Sequence, residues 1–446
     1  MIDWPAFVHL GLEHHEGIVS VVEARSALNS PRYNIATTAG LLLLLIWCVW
    51  WTVSLVQERM LFTEDTWIRM AFFGPVSTYG VDFLRCIDRP TRIWLAGLDQ
   101  YADREILFPY APIINRLFIW VALTTPENSL RIWICVAAAF AVTGAVAAVK
   151  ARRELGLNEG SIPLAVAAIL FSTPVLFSLQ RANYDLLILP AVIATVILMK
   201  RRTTGADALA ALLLAIVVWG KIYPGLLGLG VLALGRWRLA AFLVGFSGLI
   251  GLADLPETQR FLENLRIVIN TEKFLAHSAK TIHVWNHPLG LNWPLLWAGT
   301  PLARLPGNLG AALLLVPLTS WVSWRIYQCH QRDRLALPYL FWVLAAASFV
   351  PVIANDYNLT PLPLAILATW SVQSRWSVHL TLAALALWWQ PISLPIPGNV
   401  LMFIKLAGLI AAAVLIVDHA TRLSGAKSSN DTLPAEPSMP KQPQHG

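Results

Sequence analysis

Charged residues are scarce in this sequence. Asp, Glu, Lys and Arg make up 13% of its 446 residues, whereas a soluble chain of this length carries about 25%. Hydrophobic residues make up 57%, and apolar runs recur along the chain without the alternation that the strands of a membrane barrel would show. The composition therefore excludes an ordinary soluble domain and predicts an all-α polytopic membrane protein.

Several motifs that carry known chemistry are also absent. No Asp-x-Asp motif occurs and the four cysteines have no paired spacing, so we predict neither a metal site nor a disulfide framework. No glycine-rich phosphate loop, Walker motif or dinucleotide fingerprint is present, which argues against a nucleotide-sugar donor, and we expect no cofactor. A strict internal repeat, which transporters often show, is missing too.

The apolar runs that are present divide into about twelve predicted spans. With this count, one side of the membrane receives both termini and the short basic loops "KARR", "KRR", "GRWR", "QCHQRDR" and "QSRWS". The positive-inside rule makes that side cytoplasmic. Because topology accounts for the net charge of +7, we predict no nucleic-acid partner.

Two apolar stretches need a specific interpretation. "APIINRLFIWVAL" has only about a dozen residues, too few to cross roughly 30 Å of hydrocarbon, and it indicates an interfacial or re-entrant helix. The stretch 206–234 is interrupted by "WGKIYPG", and one continuous helix would put Lys221 near mid-membrane at a cost of several kcal/mol. We therefore predict two spans with a turn at residues 221–224.

The chain is predicted to have one integral domain. We expect residues 1–35 to form a cytoplasmic N-terminal segment and residues 36–420 to form the membrane domain. Residues 421–446 are rich in Pro, Ser and Lys, which predicts a disordered cytoplasmic tail.

Polar residues gather on the opposite, outer side of the predicted membrane domain. They come from six separate segments, and polar groups at the ends of spans can converge on one wet cavity. These residues are Asp82, Asp88, Asp99, Tyr101, Tyr110, Gln180, Asn183, Asp185, Lys221, Tyr223, Asn286, His287, Asn292, Asn355, Asp356 and Tyr357. Such an arrangement suits chemistry on a lipid-borne polar substrate.

The polar segments resemble, in order, those of glycosyltransferase family 87. The first outer loop, "VDFLR…GLDQYADREILFPYAPI", is similar to the family's Asp-Phe, Gly-x-Asp-x-Tyr and Phe-x-Tyr-Pro-Pro elements, although Ala111 departs from the double proline. "SLQRANYDLLIL" resembles a Gln-x-Asn-x-x-x-Leu element, and "WGKIYPGLLGLGVLALGRWR" resembles a Lys-x-x-Pro hairpin with a basic turn. "WNHPLGLN" is similar to an Asn-x-Ser-x-x-Gly element, with Pro288 in place of the usual Ser.

The resemblance implies a membrane enzyme of the GT-C type, a bundle of about twelve helices with long first and middle outer loops. Enzymes of this family move a sugar, with mannose as the family-implied guess, from a polyprenyl-phosphate donor to the hydroxyl of a lipid or glycan acceptor. The expected location is the bacterial cytoplasmic (inner) membrane, with a multi-pass chain and the active site facing outward.

The resemblance also assigns roles to individual residues. Asp82 matches the family's catalytic Asp, so we expect it to be the general base, whereas a purely structural Asp82 would cap a helix or pair with Arg85 or Arg89. Lys221 is the best candidate to stabilise the leaving phosphate, although a snorkelling lysine would occupy the same place.

The other polar side chains are weaker candidates. Arg181 and Arg266 are further candidates to stabilise the leaving phosphate, but a structural role is the favoured interpretation of each. The full set predicted to bind substrate comprises Asp99, Tyr101, Tyr110, Gln180, Asn183, Lys221, Tyr223, Asn286, His287, Asn355 and Tyr357. A loop histidine or an Asx turn without function is the alternative for several of them.

A transporter or flippase of a polar lipid or sugar is the alternative function. Such a protein would need ionisable groups near the membrane midplane, and here they gather at one face.

Overall fold

Helix is the only regular structure among the residues that the computed structural model of the chain describes. Those residues are 31–56, 80–102, 110–157, 161–270, 289, 293, 297–350, 356–370 and 398–425. The all-α prediction is therefore confirmed for this part of the chain.

Four of the described helices are long and apolar enough to cross a membrane. They are α1 (Pro31–Val56), α5 (Pro126–Glu154), α13 (Gly307–Gln328) and α16 (Gly398–Gly425). The number rises to six if each of two bent helix pairs forms one span. Large apolar side chains such as Leu42 on α1 and Val316 on α13 are exposed, as they would be against lipid. The count of twelve spans and the GT-C arrangement stay predictions.

The helices between these spans are shorter. The segment between α1 and α5 contains α2 (Val81–Phe83), a π-helical turn (Leu84–Asp88) and α3 (Arg89–Leu95), which follow one another without a break. The apolar stretch predicted to be too short for a span forms α4 (Ile113–Leu117) and a 3₁₀ helix (Ile119–Leu123). Neither piece is long enough to cross a membrane.

The first bent pair precedes the candidate site. Helix α6 (Ile162–Leu170) and helix α7 (Thr173–Arg181) meet at an angle of 54°, where a proline starts the second helix. Helix α7 ends at Ala182, which takes a left-handed conformation with φ of 53°. Helix α8 (Asp185–Arg201) then begins with a buried carboxylate in its first turn.

Helices α8 and α9 (Thr204–Gly220) lie against each other and are joined by a short basic turn. Helix α9 ends at Gly220, Lys221 is extended, and a 3₁₀ helix (Tyr223–Leu226) leads into α10 (Leu227–Ala233). The interruption predicted at "WGKIYPG" is therefore present, and it keeps Lys221 out of a continuous helix.

The second bent pair follows. Helix α11 (Trp237–Ala253) packs on α9, and α12 (Leu255–Asn270) turns away from α11 at 98°.

The most buried helix lies in the C-terminal half. Helix α14 (Arg332–Ser348) is buried on all sides from Leu335 onward, because neighbouring helices surround it. It contacts α5, α8, α10, α13, α15 (Pro361–Thr369) and α16. A 3₁₀ helix (Asp356–Leu359) precedes α15 and packs against α7, which brings the C-terminal half to the candidate site.

Candidate functional site

Asp82 sits at a tightly fixed point at the start of α2. The preceding Gly80 has a left-handed φ of 69°, and its N–H donates to the carbonyl of Gln180 at 2.9 Å. A side chain at position 80 would also collide with Leu130. Glycine is therefore needed here for both its conformation and its size, and it ties Asp82 to the end of α7.

Arg181 and Asn183 hold the Asp82 carboxylate. The Arg181 guanidinium donates Nε–H to Oδ2 at 2.8 Å and also contacts Oδ1 through Nη2. The Asn183 amide donates to Oδ2 at 2.6 Å. Arg181, which the sequence interpretation treated as structural, is thus the cation that pairs with the predicted base.

Asp185 is the centre of a second set of contacts. Its carboxylate pairs with Lys221 at 3.0 Å, accepts from the Tyr223 hydroxyl at 3.2 Å, and accepts from the Asn358 amide. Asn183 joins the two sets, because its carbonyl oxygen accepts from Lys221 Nζ at 3.1 Å while its amide donates to Asp82. The seven residues form what we call the polar cluster: Asp82, Arg181, Asn183, Asp185, Lys221, Tyr223 and Asn358.

The polar cluster contains two carboxylates and two cations in a largely buried place. The side chains of Arg181 and Asp82 are 22% and 10% exposed, and those of Lys221 and Asp185 are 14% and 2% exposed. The formal charges cancel within the polar cluster. Burying an ionised group costs several kcal/mol before it is paired. The ion pairs and hydrogen bonds within the polar cluster are therefore needed to offset this cost.

Aromatic rings form one wall of the polar cluster. The Lys221 ammonium lies 5.9 Å from the centre of the Tyr110 ring, and Tyr110 is 5.7 Å from the Tyr184 ring. The Tyr101 hydroxyl donates to the Tyr110 carbonyl at 3.2 Å, and burial raises the pKa of this phenol above its usual range. Tyr184 fills the space beside Gly220, where a methyl group would meet its ring and hydroxyl.

Cys86 lies close to the Asp82 carboxylate, and its surroundings do not favour a nucleophilic thiolate. Burial, together with the neighbouring Asp82 charge, raises the pKa of the Cys86 thiol to about 12. The thiol is therefore protonated near neutral pH, and a thiol in that state is unreactive.

A third, partly buried ion pair lies on the segment that contains Asp82, and it has a structural explanation. Arg92 pairs with Asp88 at 2.9 Å, and this hydrogen-bonded carboxylate raises the pKa of the guanidinium. Arg92 also donates to the carbonyls of Val121 and Thr124, and Asp88 accepts from Ser129 at 2.7 Å. The pair thereby fastens α3, the 3₁₀ helix before α5, and α5 itself.

An open cleft lies beside the polar cluster. It encloses about 370 Å³, part of it open to the outside, and Arg116 and Asp254 form an ion pair of 2.5 Å in its wall. The lining residues are Ala111, Pro112, Ile113, Arg116, Trp219, Ile250, Ala253, Asp254 and Thr258. None of these residues belongs to the polar cluster, but Ala111 follows Tyr110 in the chain and Trp219 stands two residues before Lys221.

The structure brings together Asp82, Tyr110, Asn183, Lys221 and Tyr223 of the predicted site residues, and Tyr101 joins them through Tyr110.

Two further predicted site residues, Asp99 and Gln180, form no side-chain hydrogen bond with the polar cluster in the part of the chain that the structure describes. Asp99 accepts from the N–H of Tyr101 at 2.8 Å in an exposed turn. The buried side-chain oxygen of Gln180 has no hydrogen-bond partner among the described residues. Asn286, His287 and Asn355 lie outside the described residues, as does the side chain of Tyr357.

Three members of the polar cluster were not among the predicted site residues. Asp185 could have been found, because a carboxylate in the first turn of an apolar helix two residues after Asn183 needs a partner. Arg181 and Asn358 carry no such signal, since each owes its role to a contact with a distant segment.

Within the described segments, no group of three or more His, Cys, Asp or Glu side chains could hold a metal ion. His283 and His287, which are four residues apart in the sequence, lie outside those segments.

Comparison with known proteins gives one match. The model of glycosyltransferase family 87 matches residues 108–351, which is more than half of the chain. The matched region contains Tyr110, Arg181, Asn183, Asp185, Lys221 and Tyr223, whereas Asp82 precedes it and Asn358 follows it. No curated protein and no solved structure matches the chain.

Proposed function

The chain belongs to glycosyltransferase family 87, and on this premise we propose that the polar cluster is its active site. The observation that carries this proposal is the polar cluster itself. Two buried carboxylates and two partly buried cations come from separate segments and meet at the ends of helices. Such a costly arrangement is typical of functional sites.

The proposed reaction moves a hexose, with mannose as the first candidate, from a polyprenyl phosphate to a lipid or glycan acceptor. The acceptor oxygen attacks the anomeric carbon, and the bond from that carbon to the phosphate oxygen breaks with its electrons going to the phosphate. The hydroxyl proton passes to the Asp82 carboxylate, which acts as the general base. Lys221 and Arg181 neutralise the charge on the departing phosphate.

Asp185 and Asn183 have supporting roles in this scheme. Asp185 holds Lys221 at 3.0 Å and fixes Tyr223 beside it, and Asn183 bridges Lys221 and Asp82. The apolar part of the cleft beside Tyr110 is a suitable place for the first isoprene units of the donor.

A transfer assay on the purified protein tests this function. The protein in detergent is given radiolabelled polyprenyl-phosphate mannose, further polyprenyl-phosphate hexoses, or the corresponding nucleotide sugars, with lipid and glycan acceptors. We expect label to reach an acceptor from a lipid donor and not from a nucleotide sugar. Transfer from the nucleotide sugar alone would overturn the proposed donor. An absence of transfer from every donor would favour the transporter alternative.

We further propose about twelve spans in the bacterial inner membrane, with the polar cluster facing outward. Cysteines introduced singly at Leu98 and Gly205, in a background without native cysteines, test the orientation. Both positions are exposed, and the proposed topology puts them on opposite sides of the membrane. An impermeant maleimide should label Leu98→Cys in intact spheroplasts and Gly205→Cys only after permeabilisation. The reverse pattern would invert the proposed orientation.

A further inference from the structure

The hydrogen bonds of Asp82 conflict with an immediate role as a base. Arg181 occupies both carboxylate oxygens and Asn183 adds a third bond, to Oδ2. A carboxylate has about four lone-pair positions, and a guanidinium fork is its strongest common partner. In this state Asp82 has little capacity left to take a proton from an acceptor hydroxyl.

The two ion pairs of the polar cluster differ in how firmly they are fixed. Asp185 is nearly inaccessible and has Tyr223 and Asn358 as additional donors besides Lys221. The Arg181–Asp82 pair is more exposed on both sides. The Arg181 guanidinium also lies 5.7 Å from the Phe177 ring on its own helix. That contact can hold the cation in position after its carboxylate has moved away.

A phosphate can replace a carboxylate on arginine because the planar guanidinium binds both groups in the same two-pronged manner. We propose that Asp82 and the donor phosphate bind the Arg181 guanidinium in turn. The phosphate takes the guanidinium, Asp82 is released toward the acceptor, and the donor therefore binds before the acceptor. This inference rests on the proposed function.

Equilibrium binding of an undecaprenyl phosphate without a sugar tests the exchange and requires no knowledge of the acceptor. If Asp82 competes with the phosphate for Arg181, then Asp82→Asn should bind this lipid roughly three- to tenfold more tightly than the parent. Uncharged undecaprenol should bind both proteins equally. Asp207→Asn, which alters another buried arginine-paired aspartate, should leave the affinity unchanged.

Arg181→Gln completes the cycle of variants. It should weaken binding of the lipid phosphate, and adding Asp82→Asn to it should give no further gain in affinity. Equal or weaker binding by Asp82→Asn than by the parent would overturn the exchange.

A second measurement uses the unaltered protein and keeps the inference testable if a variant does not fold. Carbodiimide coupling of an amine to Asp82, followed by peptide mass spectrometry, should increase when undecaprenyl phosphate is bound and not when undecaprenol is added. If the phosphate binds and the coupling stays constant, the inference fails while the transferase proposal stands. If the parent neither binds the phosphate lipid nor transfers sugar, both proposals fail.

Discussion

The two ends of helices α8 and α9 both carry ion pairs, and taken over both partners the pairs at the basic end are more exposed. At the end near Asp185, the Lys221–Asp185 pair is almost withdrawn from solvent. At the other end, Arg202 is 73% exposed and its partner Asp333 is 33% exposed. Lys200 and Glu154 form another solvent-accessible pair at that end, at 2.9 Å. A 17-residue helix of about 25 Å separates the two regions.

The exposed pairs are typical of charged residues that set the orientation of a membrane protein, whereas the buried pairs are typical of a functional site. Exposed pairs such as Lys200–Glu154 contribute about 0–1 kcal/mol to stability and need only a solvated surface. Buried pairs are costly to desolvate and are often replaceable by apolar residues without loss of stability. Stability alone therefore gives a poor account of the polar cluster, whereas catalysis on a charged substrate gives a direct one.

The largest expected effect is on the transfer rate, when one carboxylate is removed from the polar cluster and the result is compared with the same change at the basic end. Asp82→Asn keeps the size and polarity of the side chain but cannot accept the proton, so transfer should slow by about 10²–10⁴-fold. Asp207→Asn makes the same change to a buried, arginine-paired aspartate at the basic end and should stay within about threefold of the parent. Single-turnover transfer with saturating donor measures both. Comparable losses in the two variants would remove the distinction between the ends.

The second comparison removes one lysine from each end. Lys221→Met removes the charge that we propose binds the donor phosphate, which should weaken donor binding by roughly 10–150-fold. Lys200→Met deletes the exposed partner of Glu154 and should leave donor binding unchanged. Titration of each purified variant with undecaprenyl phosphate measures the affinities. A parental affinity in Lys221→Met would return Lys221 to a structural role.

The smallest expected effect is on thermal stability, and it compares alanine substitutions at two glycines of α9. At Gly220 an added methyl group would overlap the Tyr184 ring, and displacing that buried ring should cost about 1–3 kcal/mol of stability. Gly205, near the start of α9, has open space around it, and alanine is the better helix former there. Thermal unfolding should therefore show a lower midpoint for Gly220→Ala and an unchanged or higher one for Gly205→Ala. Equal midpoints would mean that Tyr184 is loosely packed.

Much of the fold could be predicted from local patterns. The apolar runs predicted helices because hydrophobic segments of this length have few other solutions, and "WGKIYPG" predicted the interruption after Gly220 because a buried lysine is costly. The number of membrane spans was harder to predict from the sequence. Several helices, such as α15 with nine residues, are too short to be identified as spans from length and composition.

The candidate site was only partly predictable, since sequence patterns identify residues and not their partners. Asp82 and Lys221 were recognised by type and position, but the cation that pairs with Asp82 lies 99 positions further along the chain. Asn358 reaches Asp185 across 173 positions. The Asn358 contact depends on packing of the 3₁₀ helix before α15 against α7, and the Arg181 contact depends on packing of α2 against α7. Periodicity encodes neither.

The most direct test of the central claim is to locate the donor phosphate on the protein. An undecaprenyl phosphate analogue with a photoreactive diazirine close to its phosphate would be bound, irradiated and mapped by peptide mass spectrometry. We predict cross-links to segments 80–95, 181–187 and 219–226, which surround the polar cluster. Competition by unlabelled undecaprenyl phosphate should abolish them, and uncharged undecaprenol should not. Cross-links that instead fall on residues 199–207, 236–240 or 332–336, at the basic end, would contradict the account.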